Sequence, residues 1–234
     1  MAISKLSGKT CLVTGASRGL GLSIARALVA AGTRVFMTAK DLKRLSVEAE
    51  ALSMPSMAAD LADMAEVEQL ATSVMEHFGC VDILVNSAGI FPVASAVDTT
   101  PDEFEHCMAI NVRAPFQLAR SFIPTMVKNN WGRILNIGSS SAYSGFKSTS
   151  AYCASKHALL GLTRALHDEL KTENVRVQCI SPGSIKTDMG KQVVGQDFNT
   201  FLDADEIAQV VLDTLAMDGA MIMDEVRLNR MLVR

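Results

Sequence analysis

The 234-residue sequence has few of the features that tie a chain to a membrane, a metal or a nucleic acid. No apolar run reaches the roughly 20 residues that a membrane-spanning helix needs. Met1-Ala2-Ile3-Ser4-Lys5 is not followed by an apolar stretch of signal-peptide length. Positive charge is not in excess: 22 Lys and Arg face 25 Asp and Glu, a formal net charge of −3. That argues against a basic face for gripping phosphate backbones. The five cysteines (Cys11, Cys80, Cys107, Cys153 and Cys179) are odd in number and contain no Cys-x-x-Cys pair. A disulfide framework or a structural zinc site is therefore not expected. The histidines His77, His106, His157 and His167 form no ligand cluster. Repeats, low-complexity tracts and Pro/Gly/Ser linkers are also missing, so residues 1–234 read as one domain. The expectation is a cytoplasmic, metal-free protein with no nucleic-acid or membrane partner.

A core is affordable, because 49% of the residues are hydrophobic and 20% are charged. Short apolar runs rich in β-branched residues recur at 10–14, 34–38, 81–85, 133–137 and 175–180. Weaker runs lie at 55–59 and 225–228, giving seven candidate strands. The stronger runs are apolar on both faces, as in strands buried within a parallel sheet. Between them lie amphipathic segments with readable starts. Thr100-Pro101-Asp102-Glu103 has a cap residue, Pro at the first helical position and Glu where a capping box needs it. Asp63-Met64-Ala65-Glu66 and Asp203-Ala204-Asp205-Glu206 give acidic starts suited to a helix dipole. Alternating strands and helices predict an α/β fold: a doubly wound, mostly parallel seven-stranded sheet with helices on both faces.

Thr14-Gly15-Ala16-Ser17-Arg18-Gly19-Leu20-Gly21 follows the first strand and opens a helix expected over 22–31. Glycines there permit a tight turn, and helix N–H groups can face a pyrophosphate. The spacing Gly-x-x-x-Gly-x-Gly differs from the usual dinucleotide fingerprint Gly-x-Gly-x-x-Gly. Downstream, Tyr152-Cys153-Ala154-Ser155-Lys156 places a phenol and an ammonium on one helix face. A neighbouring Lys favours the phenolate, which predicts a lowered Tyr152 pKa. Asn111 lies in the helix that starts at Pro101, four residues before Pro115. Proline has no N–H to return, so the Asn111 carbonyl is expected to be free.

These elements, with Asp60-Leu61, Asn86-Ser87-Ala88-Gly89, Ser139 and Pro182-Gly183-Ser184-Ile185-Lys186-Thr187, resemble the short-chain dehydrogenase/reductase family along essentially the whole chain. The resemblance implies a Rossmann-type dinucleotide-binding catalytic domain and hydride transfer between nicotinamide and a carbonyl or alcohol substrate. By the same likeness Tyr152 donates the proton, Ser139 polarises the carbonyl oxygen, and Lys156 lowers the Tyr pKa and holds the nicotinamide ribose. Asn111 binds a water that relays protons to the Lys. Gly15, Ser17, Arg18, Gly19, Leu20, Gly21, Asn86, Ala88, Gly89, Pro182, Gly183, Ile185 and Thr187 line the cofactor groove, and Asp60 and Leu61 border the adenine. Homo-tetramers or homo-dimers are typical of the family.

After the second strand, Ala39 stands where an NAD-selecting Asp would align, and Lys40 follows. Lys40 and Arg18 can surround a 2′-phosphate, so NADP(H) is the expected cofactor, with NAD(H) not excluded. Asp41 is expected to point elsewhere.

Ser87 stands where the family commonly has a second Asn, and Gly138 where a Ser precedes the polarising Ser. The segment 188–203, used as a substrate lid in the family, is short, and the usual Val-Asp-Gly-Gly ending is missing. Phe91, Val93, Tyr143, Phe146, Met189 and Val193 are candidate apolar lining for the substrate. The sequence supports a ketone or aldehyde reductase. Alternatives are a 3-oxoacyl-carrier-protein reductase and a dinucleotide-sensing regulator that catalyses nothing.

Overall fold

In a computed structural model, which describes residues 3–231, seven strands form one sheet. They are β1 (Thr10–Thr14), β2 (Arg34–Ala39), β3 (Ser56–Ala58), β4 (Ile83–Asn86), β5 (Gly132–Ile137), β6 (Val175–Pro182) and β7 (Glu225–Leu228). All pairs are parallel and the order is β3-β2-β1-β4-β5-β6-β7. The helices are α1 (Gly19–Ala30), α2 (Leu42–Leu52), α3 (Met64–Phe78), α4 (Pro101–Met108), α5 (Ala114–Lys128), α6 (Ser150–Leu170) and α7 (Ala204–Ala216).

Successive strand residues point to opposite faces, and this splits the core in two. Cys11 and Val13 of β1 face a layer built on α1, α2 and α7, through residues such as Ile24, Leu28, Leu45 and Val211. Leu12, between them, faces the layer of α3, α5 and α6, with Val74, Leu118, Phe122 and Leu166. A strand covered on both sides has no polar face, which is why the runs read as continuous hydrophobics.

The acidic and threonine starts cap as the spacing predicts. Asp63 accepts from Ala65 N, Asp203 from Asp205 N, and Thr100 with Glu103 completes a reciprocal capping box. Each such cap contributes about 1 kcal/mol.

The strand order reverses between β1 and β4, because the chain runs outward from β1 to β3 and returns to β4. That switch point, at the carboxyl edge of the sheet, is where open α/β folds form a ligand crevice.

Candidate active site

Three loops meet at that crevice. Gly15 turns the chain after β1 with φ 69°, and a Cβ there would lie 2.9 Å from the Cα and N of Ala88. The β1 turn and the β4 loop approach more closely than any side chain permits. A Cβ on Gly21 would strike the Gly15 carbonyl oxygen at 2.3 Å, and one on Gly19 would meet Thr187 Cγ2 at 3.2 Å. Thr187 thus roofs the turn from the segment after β6. Thr14 Oγ1 accepts hydrogen bonds from Ser87 N (3.1 Å) and Ala88 N (3.0 Å), pinning the loop that carries Gly89. Pro182 ends β6, and Gly183 N donates to Leu228 O at 2.8 Å. Ile185 bridges to Leu202, which ties both ends of segment 188–203 together.

The first helix starts at Gly19, earlier than the sequence predicted, and no side chain caps it. Its first N–H groups therefore remain available at the mouth of the turn, where Ser17 and Leu20 are largely buried. A turn with glycine at positions 15, 19 and 21, at an uncapped helix N-terminus, fits a pyrophosphate.

On the other side of the crevice, Tyr152 and Lys156 project from α6 and are 8% and 5% exposed. Ser139 follows β5 and is 9% exposed, and its Oγ accepts from Ser141 N at 3.1 Å. Burial pushes the Tyr152 phenol up to about 12, with hydrogen bonding to the Ser139 side chain acting in the opposite direction. Burial also pushes the Lys156 ammonium down to about 8. Lys156 Nζ donates to Ile137 O at 2.7 Å and lies 5.7 Å from the Tyr152 ring centre.

The lowered Tyr152 pKa expected from its spacing to Lys156 is therefore not what this arrangement produces. Two desolvated groups each favour their neutral form, and the ammonium is engaged by a backbone carbonyl. At neutral pH the phenol keeps its proton, the state a proton donor requires.

Asn111 sits in a π-helical turn, Ala109–Arg113, between α4 and α5. Pro115 supplies no N–H, and the helix widens so that Ala114 N reaches back five residues to Ala109 O. The Asn111 side chain is fully engaged. Its Oδ1 accepts from Ile90 N (2.9 Å), and its Nδ2 donates to Ile90 O (3.0 Å) and Ser155 Oγ (3.0 Å).

Asn86 is 3% exposed, and its Nδ2 donates to Asn136 Oδ1 at 2.8 Å. Asn136 passes the chain to Thr163 Oγ1 at 2.9 Å. Asn86 thus ties β4 to β5 and α6 through its side chain. The Tyr143 hydroxyl donates to Glu225 on β7 at 3.0 Å. Gly138 is where it is because Ser181 fills the space, since a Cβ would lie 2.3 Å from Ser181 Oγ.

At the end of β2 the expected pair of cations is split. Lys40 Nζ contacts Asp60 Oδ2 at 2.6 Å, and this bond holds the Asp60 carboxyl below its usual range. Arg18 contacts Asp188 at 3.3 Å, and Arg44 reaches the same carboxylate at 4.0 Å. Asp41 caps α2 by accepting from Arg44 N at 3.1 Å, so its carboxylate is engaged there, as expected. Leu61 is buried beside Asp60. Sequence reasoning missed Arg44, Asn136 and Ser155. Ser155 had a signal, lying three residues after Tyr152, whereas Arg44 and Asn136 stand out only once the fold is known.

Residues 9–197 match the family model described as short chain dehydrogenase. The chain is 35% identical to D-beta-hydroxybutyrate dehydrogenase of Cupriavidus necator, covering 81% of this chain and 75% of that protein. It is also 35% identical to a 3-oxoacyl-[acyl-carrier-protein] reductase of Rickettsia prowazekii, over 79% of this chain and 76% of the relative. A crystal structure of a metagenomic short-chain oxidoreductase in complex with NADP superposes with a TM-score of 0.86 at 33% identity, covering 97% of this chain and all of that one. Sequence motif and fold agree with these likenesses: the chain belongs to the short-chain dehydrogenase/reductase family and is an oxidoreductase of the CH–OH/C=O couple.

Proposed function

We propose that the chain is an NADP(H)-dependent reductase of ketones or aldehydes, with Tyr152 as the proton donor. The observation that carries this reading is the buried, protonated Tyr152 phenol beside Ser139 at the crevice where the glycine turn forms a pyrophosphate cradle. A nicotinamide cofactor, when bound, would supply a hydride to the carbonyl carbon. Tyr152 then gives its proton to the carbonyl oxygen, leaving an alcohol, and Ser139 Oγ donates a hydrogen bond to the same oxygen as charge builds on it. Lys156, fixed on Ile137 O, holds the ribose hydroxyls and stabilises the phenolate that remains. Asn111 orders the loop around Ile90.

Arg18, Arg44 and Lys40 support the phosphorylated cofactor. Arg18 and Arg44 meet at Asp188 and Lys40 pairs with Asp60, while Ala39 at the end of β2 offers no carboxylate to a 2′-hydroxyl and Asp41 is engaged as a helix cap. The 2′-phosphate must then displace Asp188 and Asp60 from these cations. Segment 188–203 acts as the short lid. The exposed Phe116, in a groove with Met108, Val112 and Leu162, supports self-association through the outer faces of α4, α5 and α6. All five cysteines are free thiols, in keeping with a reducing cytosol.

A spectrophotometric screen with NADPH and NADH against apolar ketones, aldehydes and 3-oxoacyl thioesters tests the reading. The expected result is NADPH oxidation with at least one carbonyl class, and tighter use of NADPH than NADH. Cofactor binding without turnover across the panel would leave the sensing regulator as the better description.

A further inference from the structure

The loop after β4 is fixed at two points, and the residue between them touches the phenol. At one point, both backbone polar groups of Ile90 are hydrogen-bonded by the Asn111 carboxamide, at 2.9 and 3.0 Å. At the other, Ala94 N donates to Ser148 O at 2.9 Å, just before α6. Phe91 lies between these anchors, and its ring meets the Tyr152 ring edge-to-face, with centres 4.7 Å apart and planes at 78°. Aromatic pairs prefer this geometry because the positive ring edge meets the negative ring face.

The opposite end of Tyr152 is held as well. Ser155 Oγ donates to the Tyr152 carbonyl at 2.7 Å and accepts from Asn111 Nδ2 at 3.0 Å. Asn111 therefore closes a circuit: through Ile90 to Phe91 and the Tyr152 ring, and through Ser155 to the Tyr152 backbone.

Resting on the reductase reading above, we propose that Phe91 is a positioning residue for Tyr152, fixing the plane of its ring and shielding the phenol from water. A misplaced donor loses rate steeply, because an ångström of displacement can cost on the order of a hundredfold. The role belongs to Phe91 and not to any apolar neighbour, since the edge-to-face contact sets an angle that an aliphatic side chain does not.

The chain has only two tyrosines, which gives a readout free of turnover. In a Tyr143→Phe background, phenolate absorbance on alkaline titration reports Tyr152 alone. The other ionisable groups around the phenol (Cys107, Cys153 and Lys156) are untouched by a change at position 91. Phe91→Ala is expected to bring the Tyr152 titration down from about 12, since burial is the main cause of its elevation. Phe91→Leu, which fills the space, should restore most of that shift. In the reductase assay, Phe91→Ala should lower kcat on the order of tenfold to a hundredfold, with KM for NADPH within about twofold, and Phe91→Leu should recover only part of kcat. An unchanged titration and kcat in folded Phe91→Ala would overturn the proposal, as would full recovery of kcat by Leu. If the wild type reduces no carbonyl, the reductase reading fails. The titration still decides whether Phe91 controls the phenol.

Discussion

Two sets of cations flank the crevice, and they are built in opposite ways. Lys156 is 5% exposed and held by the fixed backbone carbonyl of Ile137. The side chains of Lys40 and Arg18 are 70% and 63% exposed and held by the carboxylates of Asp60 and Asp188. Burial gives Lys156 a shifted titration and a single position. Exposure gives the other set interchangeable partners in high-dielectric surroundings, where each pair is worth about 0–1 kcal/mol. On the proposed reading the difference is one of purpose: a group beside a reacting bond needs a fixed environment, whereas groups that would catch a dianion need to exchange one acid partner for another.

The largest effect should come from the buried set. Tyr152→Phe removes the proton donor without altering its packing, and NADPH-dependent reduction should fall about 10²–10⁴-fold with cofactor affinity nearly unchanged. Fluorescence titration with NADPH checks the second half. Retained turnover would end the comparison, because the buried side would then have no chemical task.

Lys156→Met tests desolvation directly. Burial holds the folded-state Lys156 near 8, whereas an unfolded Lys titrates near about 10.4. Between those values the unfolded chain binds the extra proton, so the burial penalty present below pH 8 is relieved as pH rises. The wild type should gain stability relative to Lys156→Met by up to about 1.4 kcal/mol per pH unit from about pH 8 to 10, read from denaturant midpoints. A difference that does not change with pH would place the ammonium in water.

Smaller changes are expected on the exposed side. Lys40→Ala should weaken NADPH about tenfold, in the range of a charge-assisted hydrogen bond, and NADH much less; equal losses would remove the phosphate contact. Asp188→Ala frees Arg18 and leaves Arg44 paired only with Asp41, and should tighten NADPH by about twofold to fivefold, the scale of an exposed ion pair. Isothermal titration at two salt concentrations would show the gain shrinking as salt rises.

Much of the fold was legible in the sequence because hydrophobic period and cap chemistry are local. The run at 225–228 became β7 with the same bounds, and Thr100-Pro101-Asp102-Glu103 became a complete capping box. The helix start at Gly19 was misplaced by three residues, since glycine has weak helix propensity but here opens the helix at the cradle. In the site, the Tyr152–Lys156 pair and the glycine turn stood out by their spacing, and Ser139 through the family resemblance. The partners of Asn86, Tyr143, Asn111 and Lys40 did not, because each lies on a different element.

The sequence by itself determined which segments are strands and helices, where the chain turns on glycine, and which residue types reach the crevice. These follow from backbone sterics and side-chain periodicity within a few residues. Only the tertiary structure decided that the phenol is driven toward its neutral form, that Asn111 clamps Ile90, and that Asp188 rather than Lys40 stands beside Arg18. Desolvation and hydrogen-bond partnership depend on distances between segments far apart in the chain, and no local pattern encodes them.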